Sequence, residues 1–401
     1  MKNILTKRAI IVFLLSLLVL FLSISYYIFI TTTGIILKTN LKCNFRDKVY
    51  LKDFIYKLDG VLQNNYKIDT NYVGTKELKI VYKNKYGFYK TKKFNIEIKD
   101  KTPPTILVNN EFNVEVGYNK NIEDAILCAD DADDNVKCEL NGSYNLDEKG
   151  IYPVSMTATD KSNNTTTKRF NLVVTEKAKK NNIEEDNINT LEFVSYSDIY
   201  KKYKNNNTLI GIDISKWQEE VDFKKLKESN VEFIMLKLGG QKDIGSKLEL
   251  DPTFKNNIEE ALKENFKVGV YFYSYAKSEL EAKKQARFVL DNIKNYNIEL
   301  PIAFDWENWT TYNSFNMSFN SLNNIAKTFV KEINNSGYKS MLYSSENYLN
   351  NVWFHQDYKN IWLANYGKVE YLGNYDMWQL CSDGRVDGIN TYVDIDVMYL
   401  D

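Results

Sequence analysis

Histidine is almost absent from this chain: His355 is the only one in 401 residues. Cysteine is scarce too, with four residues in all. Zinc peptidases and amidases gather several His, Asp or Cys ligands at close spacing, and that supply is missing here. A Ser-His-Asp triad survives only if His355 is its base. A Cys381/His355 pair is formally open to thiol chemistry, but papain-like peptidases place the cysteine before the histidine, the reverse of the order here. Charge of one sign is not in excess either: 52 Lys and Arg stand against 53 Asp and Glu. The lysines are interleaved with acids, so no nucleic-acid partner is expected. Any acid–base chemistry must therefore rest on Asp and Glu.

Alanine is missing between Ala9 and Ala125, so a signal-peptidase site of the A-x-A type is missing as well. What stands near the N-terminus is an uncharged, mostly apolar run from Ala9 to about Ile30, preceded by Lys2, Lys7 and Arg8. That length suffices to cross a bilayer as a helix, and basic residues before it favour an N-terminus inside the cell. The reading is a cytoplasmic tail at 1–8 and an uncleaved single-pass anchor at 9–30, with the rest of the chain outside. Cleavage between Thr31 and Gly34 is the alternative. Cys128 and Cys138 are close enough in sequence to form a short disulfide loop in an exported domain. Cys43 and Cys381 have no evident partners, and free thiols are the alternative for all four.

Length predicts two to four domains. Two stretches after the anchor align without a gap, Gly74 to Ile98 and Gly150 to Val174. Both alternate with period two around a polar turn and are rich in Val, Ile, Thr and Tyr, which is the pattern of a β-hairpin. Their recurrence predicts two small all-β sandwiches at 38–100 and 101–175, meeting at Asp100-Lys-Thr-Pro-Pro104. They resemble the immunoglobulin-like repeats of exported bacterial surface proteins. The acidic loop Asp130–Asp134 has hard oxygen ligands of the kind calcium takes. It lacks the glycine and distal glutamate of an EF-hand loop, so no metal is expected. Residues 176–206 read as a polar linker, with a short helix around Leu191–Tyr203.

From 207 to 401 strand-like and helix-like segments alternate, which predicts an α/β domain. Strands fit Glu232–Leu238, Lys267–Ser274, Tyr338–Ser344, Lys359–Tyr366 and Tyr375–Cys381. Asp251-Pro252 reads as an N-cap followed by a proline in the first turn. Ser278-Glu-Leu-Glu281 reads as a capping box. Some 195 residues are few for eight βα units, so a compact, irregular TIM-like barrel is expected, with some helices reduced to loops.

Within this domain, Leu300-Pro-Ile-Ala-Phe-Asp305-Trp-Glu307 is an apolar run that ends on two acids spaced i, i+2. On a strand these emerge on one side, about 7 Å apart at the backbone. Two carboxylates at that range suit general acid catalysis with a second group steadying positive charge, as in glycoside hydrolysis. Two further strands also end on acids: Leu209-Ile-Gly-Ile-Asp213, and Tyr392-Val-Asp394-Ile-Asp396.

These acids belong to an ordered set of motifs: Gly-Ile-Asp213-Ile-Ser215 with Gln218, Val268-Gly-Val-Tyr271-Phe, Asp305-Trp-Glu307, Leu342-Tyr343-Ser, Ile361-Trp362-Leu-Ala-Asn-Tyr366, Trp378-Gln379 and Val393-Asp394-Ile-Asp396. In order and spacing the region from about 208 to the end resembles family 25 glycoside hydrolases, lysozymes of the N-acetylmuramidase type. The resemblance implies hydrolysis of the β-1,4 bond between N-acetylmuramic acid and N-acetylglucosamine in peptidoglycan, without metal or cofactor. It implies Glu307 as general acid, Asp305 as second acid, and Asp213 and Asp394 as further carboxylates of the pocket. It also implies glycan contacts from Tyr271, Tyr343, Trp362, Trp378 and Gln379, with core packing the alternative for each ring. Glu219, Leu238-Gly-Gly-Gln241 and Asp396 depart from the usual family pattern without touching the four acids.

The expectation is a membrane-anchored cell-wall lysozyme whose sandwich pair lifts the barrel into the wall. A wall-binding or adhesive protein on the same fold, no longer cutting, is the rival. A chitinase of family 18 would want acids where Ile302 and Phe304 stand.

Overall fold

The computed structural model describes residues 2–32, 34–176 and 193–400, so the greater part of the expected linker lies outside the described residues. The chain forms two compact units, Met1–Lys101 and Thr102–Asp401.

The first unit begins with helix α1 (Lys2–Thr32). Its stretch Ile10–Tyr27 is long and apolar enough to cross a membrane, a test that a signal sequence also passes, and the protein covers none of it. The short strands β1 (Ile35–Leu37), β2 (Lys42–Asn44), β3 (Ile55–Leu58) and β4 (Gly60–Leu62) precede a long hairpin of β5 (Gly74–Asn84) and β6 (Tyr89–Lys99). Strands β1 and β3 form one sheet, and β2-β6-β5-β4 form a second. Leu78, Ile80, Ile96 and Ile98 of the hairpin are buried with Leu51 and Ile68 in one core, while the intervening Lys79, Glu77 and Glu97 are exposed. This is the period-two alternation of a sheet with one wet face.

The second unit opens with a module of the same plan. It comprises β7 (Thr105–Leu107), β8 (Glu111–Glu115), helix α2 (Ile122–Ala125), β9 (Leu127–Ala129), β10 (Lys137–Asn141), β11 (Gly150–Thr159) and β12 (Thr165–Thr175). The order β10-β11-β12-β8 faces the β7–β9 pair across a core of Val154, Met156, Ala158, Phe170 and Leu172. The repeated segments seen in sequence are the β5–β6 and β11–β12 hairpins. Cys128 and Cys138 are joined by a disulfide, whereas Cys43 and Cys381 are free and buried.

The barrel follows: β13 (Val194–Ser195), α3 (Tyr196–Tyr203), β14 (Thr208–Ile214), α4 (Phe223–Glu228), β15 (Phe233–Gly240), β16 (Glu249–Leu250), α5 (Phe254–Lys263), β17 (Lys267–Tyr273), α6 (Glu279–Ile293), β18 (Ile302–Asp305), α7 (Phe319–Asn335), β19 (Ser340–Ser345), α8 (Glu346–Asn351), β20 (Ile361–Ala364), β21 (Met377–Arg385) and β22 (Val393–Tyr399). Seven strands, β14, β15, β17, β18, β19, β20 and β21, run parallel in that order. The last, β22, lies antiparallel between β21 and β14 and closes the sheet into an eight-stranded ring. Each predicted strand is present, and no helix stands between β20 and β21 among the described residues. Economy of helices is how 195 residues accommodate eight strands. Ser278 caps α6 as expected by accepting the Glu281 N–H, but the Glu281 carboxylate accepts from the Lys277 N–H and not from Ser278, so the reciprocal half of the box is displaced by one residue. The other helix start is shifted: Asp251 instead holds the Thr253 N–H and hydroxyl in a turn, and α5 begins at Phe254.

Inside the ring, Phe233, Met235, Ala303, Met341, Trp362 and Met377 form a separate inner core, while Ile210, Ile212, Ile234 and Leu236 point outward to the helices. Gly211 sits on the inward row, where a Cβ would lie 2.4 Å from the Phe233 carbonyl oxygen, so no larger residue fits.

The module at 102–175 is built into the barrel's body, within the second unit. Leu127 and Ala129 belong to the barrel's own core. Asn313, in the 3-10 turn after β18, accepts the Cys128 N–H at 3.1 Å and donates to the carbonyls of Glu123 and Ile126 at 2.9 and 2.8 Å. The first amides of α7 are capped from the same module: Phe319 and Asn320 donate to the carbonyls of Asp130 and Asp131, and Asp134 accepts from Ser318 and Ser321. These are the orphan N–H groups of a helix start, where negative charge is also favoured. Asn313→Ala leaves one donor and two acceptors without partners, at a cost of about 2 kcal/mol. Calorimetry of the variant is expected to show a thermal midpoint several degrees below wild type; an unchanged midpoint would mean that the joint does not stabilise the body.

Candidate active site

All four acids singled out in the sequence meet at one end of the ring. Asp213 ends β14, Asp305 ends β18, and Asp394 lies opposite Asp213 in the β14–β22 pairing. Glu307 follows Asp305 by two residues. Together with Lys237, Tyr271, Tyr273, Tyr343, Trp362, Tyr366 and Gln379 they line a cleft of about 250 Å³. Asp213 and Asp305 lie at the C-terminal ends of parallel strands, whereas Asp394 stands at the start of β22 and not at the end of its strand as expected; it reaches the same rim because β22 runs antiparallel.

Burial and crowding decide the charge state. Asp305 is 3% exposed, and its Oδ1 has no protein partner. It is hydrogen-bonded to Glu307, and loss of water with the Glu307 charge beside it holds its carboxyl well above the usual range. Glu307 opens to solvent at the mouth of the cleft, yet the surrounding protein pushes it up too, while Lys237 and the bond to Asp305 pull the other way. Two carboxyls in direct contact cannot both ionise cheaply, so the pair retains a proton that lone acids would lose. Asp213 is raised by burial and by Asp394, and Asp394 is pushed up to about 6 by burial and by Glu307.

A polar relay holds Asp213 in place. Gln379 Nε2 donates to Asp213 Oδ2 at 2.7 Å, and Gln379 Oε1 accepts from the hydroxyls of Tyr343 and Tyr366 at 2.9 and 2.8 Å. Below it, fully buried Asp396 accepts from Trp362 Nε1 at 2.8 Å. The end of β18 is held in turn by Ser274, whose N–H donates to the Asp305 carbonyl and whose own carbonyl accepts from Asn308.

Two expectations need correction. Trp378 does not line the cleft: Gln379 points inward, so its neighbour faces out, stacking edge-on against Tyr203 and donating to the Asn365 carbonyl. Trp362 reaches the cleft but is 1% exposed and wedged edge-on between Tyr271 and Tyr343, so it is a floor and offers no open face to a sugar. Two lining residues, Lys237 and Tyr273, escaped the sequence reading, and a third, Tyr366, stood in a quoted motif without a site role. Lys237 had a signal, a lone charge in the apolar strand Phe233–Leu238, and its ammonium lies 4.7 Å from the Tyr273 ring. Thiol chemistry drops out, since burial pushes Cys381 up to about 12 and no thiolate forms near neutral pH. His355 packs edge-on against Tyr371 and does not line the cleft.

Residues 212–389 match the family model of glycosyl hydrolases family 25. A curated relative, the uncharacterized protein YegX of Escherichia coli K12, is 26% identical over 200 residues, 47% of this chain and 69% of that protein. The autolytic lysozyme of Clostridium acetobutylicum is 26% identical over 195 residues, 46% of this chain and 54% of its own length. Among solved structures, the modular autolysin LytC of Streptococcus pneumoniae, in complex with a synthetic peptidoglycan ligand, aligns with a TM-score of 0.43 at 22% identity. That alignment covers 61% of this chain and 56% of LytC, so the match spans little more than half of the two autolytic relatives. The C-terminal domain of this chain, matched over residues 212–389, is a family 25 glycoside hydrolase domain.

Proposed function

We propose that the chain is a membrane-anchored lysozyme that cleaves the β-1,4 bond between N-acetylmuramic acid and N-acetylglucosamine in peptidoglycan. The observation that carries this reading is the hydrogen-bonded Asp305–Glu307 pair, held above the usual carboxylate range in a cleft with Asp213 and Asp394. Glu307, the solvent-facing member, gives the shared proton to the glycosidic oxygen as the bond to C1 breaks. Positive charge then develops on the sugar ring and is stabilised by Asp213 and Asp394 in a site with little water. Asp305, at the closed end, orients the substrate's acetamido group for attack on C1, and Glu307 then takes a proton from the water that completes hydrolysis. Tyr271, Tyr343 and Gln379 shape the cleft, and Lys237 restrains the net charge of four acids.

Helix α1 serves as the anchor, with its N-terminus in the cytoplasm and the chain that follows it outside at the wall. Tethering keeps the enzyme at high local concentration near its polymer and restricts cutting to its reach.

Glu307→Gln keeps the shape and removes the proton, so release of reduced muramic-acid-terminated fragments from purified peptidoglycan should fall by a factor on the order of a thousand. Mass spectrometry of the products gives the result; a folded wild type that binds wall and releases nothing would assign a binding role instead. Crowding also has a stability signature. Asp394 has a folded value of about 6 against an unfolded value near 4. Its protonation therefore favours the fold fully below about pH 4, and that benefit is lost as pH rises through about 6. Asp394→Asn is expected to raise stability at pH 7 by on the order of 2 kcal/mol, with no gain at pH 4, while lowering activity. Denaturant unfolding at the two pH values checks this; equal effects at both would show that Asp394 carries no strained charge.

A further inference from the structure

The first unit carries an end that the lysozyme reading does not use. At the turn between β5 and β6, Tyr86, Phe88 and Tyr89 are 41, 43 and 68% exposed, and Val61 on the neighbouring strand is 63% exposed. Lysines accompany them: Lys83, Lys85, Lys90 and Lys92 stand in the turn and the strand ends beside it, while Lys93 farther along is paired with Glu77 at 2.9 Å. Lys85 lies 5.2 Å from the Tyr86 ring and Lys83 5.8 Å from the Tyr89 ring. The turn is rigidly presented, because the buried Asn84 side chain accepts the N–H groups of both Tyr86 and Phe88.

The position of this end is fixed by two backbone bonds. Asp59 donates its N–H to the Gly34 carbonyl at 2.7 Å and accepts the Lys85 N–H at 3.0 Å. Gly34 is the second residue after the end of α1 at Thr32. Its φ is +149°, and a Cβ there would lie 2.6 Å from the Tyr82 ring, so the chain enters the sheet tight against β5. The basic, aromatic turn thus sits one residue away, through Asp59, from the point where the helix ends. From Tyr27, the end of the apolar stretch, five helical residues lead to Thr32. They rise about 8 Å, roughly the depth of one headgroup layer.

We propose that this end of the first unit docks on the bilayer's outer headgroup layer, with Tyr86, Phe88 and Tyr89 in the interface and the lysines on anionic phospholipid headgroups. The proposal rests on α1 being a membrane anchor. Amphipathic rings favour the headgroup level, and lysine ammonium groups bind its negative surface while their stems lie along apolar matter. Docking converts a flexible tether into a base of defined orientation, which sets the direction in which the chain leaves the membrane.

The test uses the full chain reconstituted into vesicles of phosphatidylcholine, with or without an equal part of phosphatidylglycerol. Cys43 and Cys381 are buried and Cys128 and Cys138 are bonded, so a nitroxide attaches to an introduced cysteine alone. Phe88→Cys is compared with Lys137→Cys, on an exposed strand of the second unit. Paramagnetic collision with oxygen and with a water-soluble nickel chelate reports depth. With phosphatidylglycerol present, the label at 88 should favour oxygen several-fold over the label at 137. Lys83→Glu, Lys85→Glu and Lys90→Glu together should return it to water. A label at 88 as open to nickel as that at 137 would overturn docking, as would protection that appears only on adding soluble wall polymer. Equal depth in both lipid mixtures would overturn the anionic partner. An alkaline wash of the same vesicles tests the anchor separately: chain released by the wash removes both readings, and retained chain with a wet label removes docking alone.

Discussion

Closure of the barrel by β22 is the constraint on which the site depends. A parallel sheet of seven strands could stay open; the antiparallel return of the last strand ties β21 to β14. In doing so it sets Asp394 opposite Asp213 and Asp396 opposite Gln379. Four carboxyl-bearing positions and one amide are thereby confined to one small cleft. Loss of water raises every one of the four acids Asp213, Asp305, Glu307 and Asp394, and the charge of a neighbouring acid adds to it at Asp213, Asp305 and Asp394. The inner core of methionine, phenylalanine and tryptophan supplies the burial that sustains this strain.

The body that holds the site is larger than the barrel. The turn that follows Glu307 is an aromatic knot in which Trp306 packs on Trp309, Tyr312 and Phe315 at 4.9, 5.7 and 5.0 Å. That knot leads directly to Asn313 and to the helix start capped from the 102–175 module. A small sheet module thus serves as an outer wall for the segment that carries the acid. The first unit, built on the same hairpin plan, is a separate body with its own core. One sequence pattern has been put to two structural uses.

The acids were legible because their signal is local. An apolar run ending in Asp305 and Glu307 fixes strand, face and spacing together, and Asp213 repeats the motif, whereas Asp394 begins its strand and reaches the site only through the antiparallel return of β22. Hairpin recurrence was legible for the same reason, since both copies carry period-two alternation across a polar turn. Trp378 was misplaced because its partner in the motif, Gln379, takes the inward face, and adjacent strand residues cannot share one. Lys237 could have been found as the lone charge in an apolar strand. Closure into eight strands and the joint through Asn313 could not: they depend on pairings as distant as Asn313 with Glu123, which no periodicity records. Asp396 reads in sequence as a departure from pattern, and only packing shows it as a buried acceptor for Trp362.

The chemistry proposed for the cleft requires Asp305 and Glu307 to share a proton near neutral pH in the resting protein. Carbon-13 titration of the carboxyl groups, assigned by Asp305→Asn and Glu307→Gln, tests it most directly. Asp305 should stay protonated well above the ordinary carboxylate range, with Glu307 raised to a lesser degree. Replacing either should shift the titration of the other. Two independent titrations near pH 4, indifferent to each other's replacement, would contradict it.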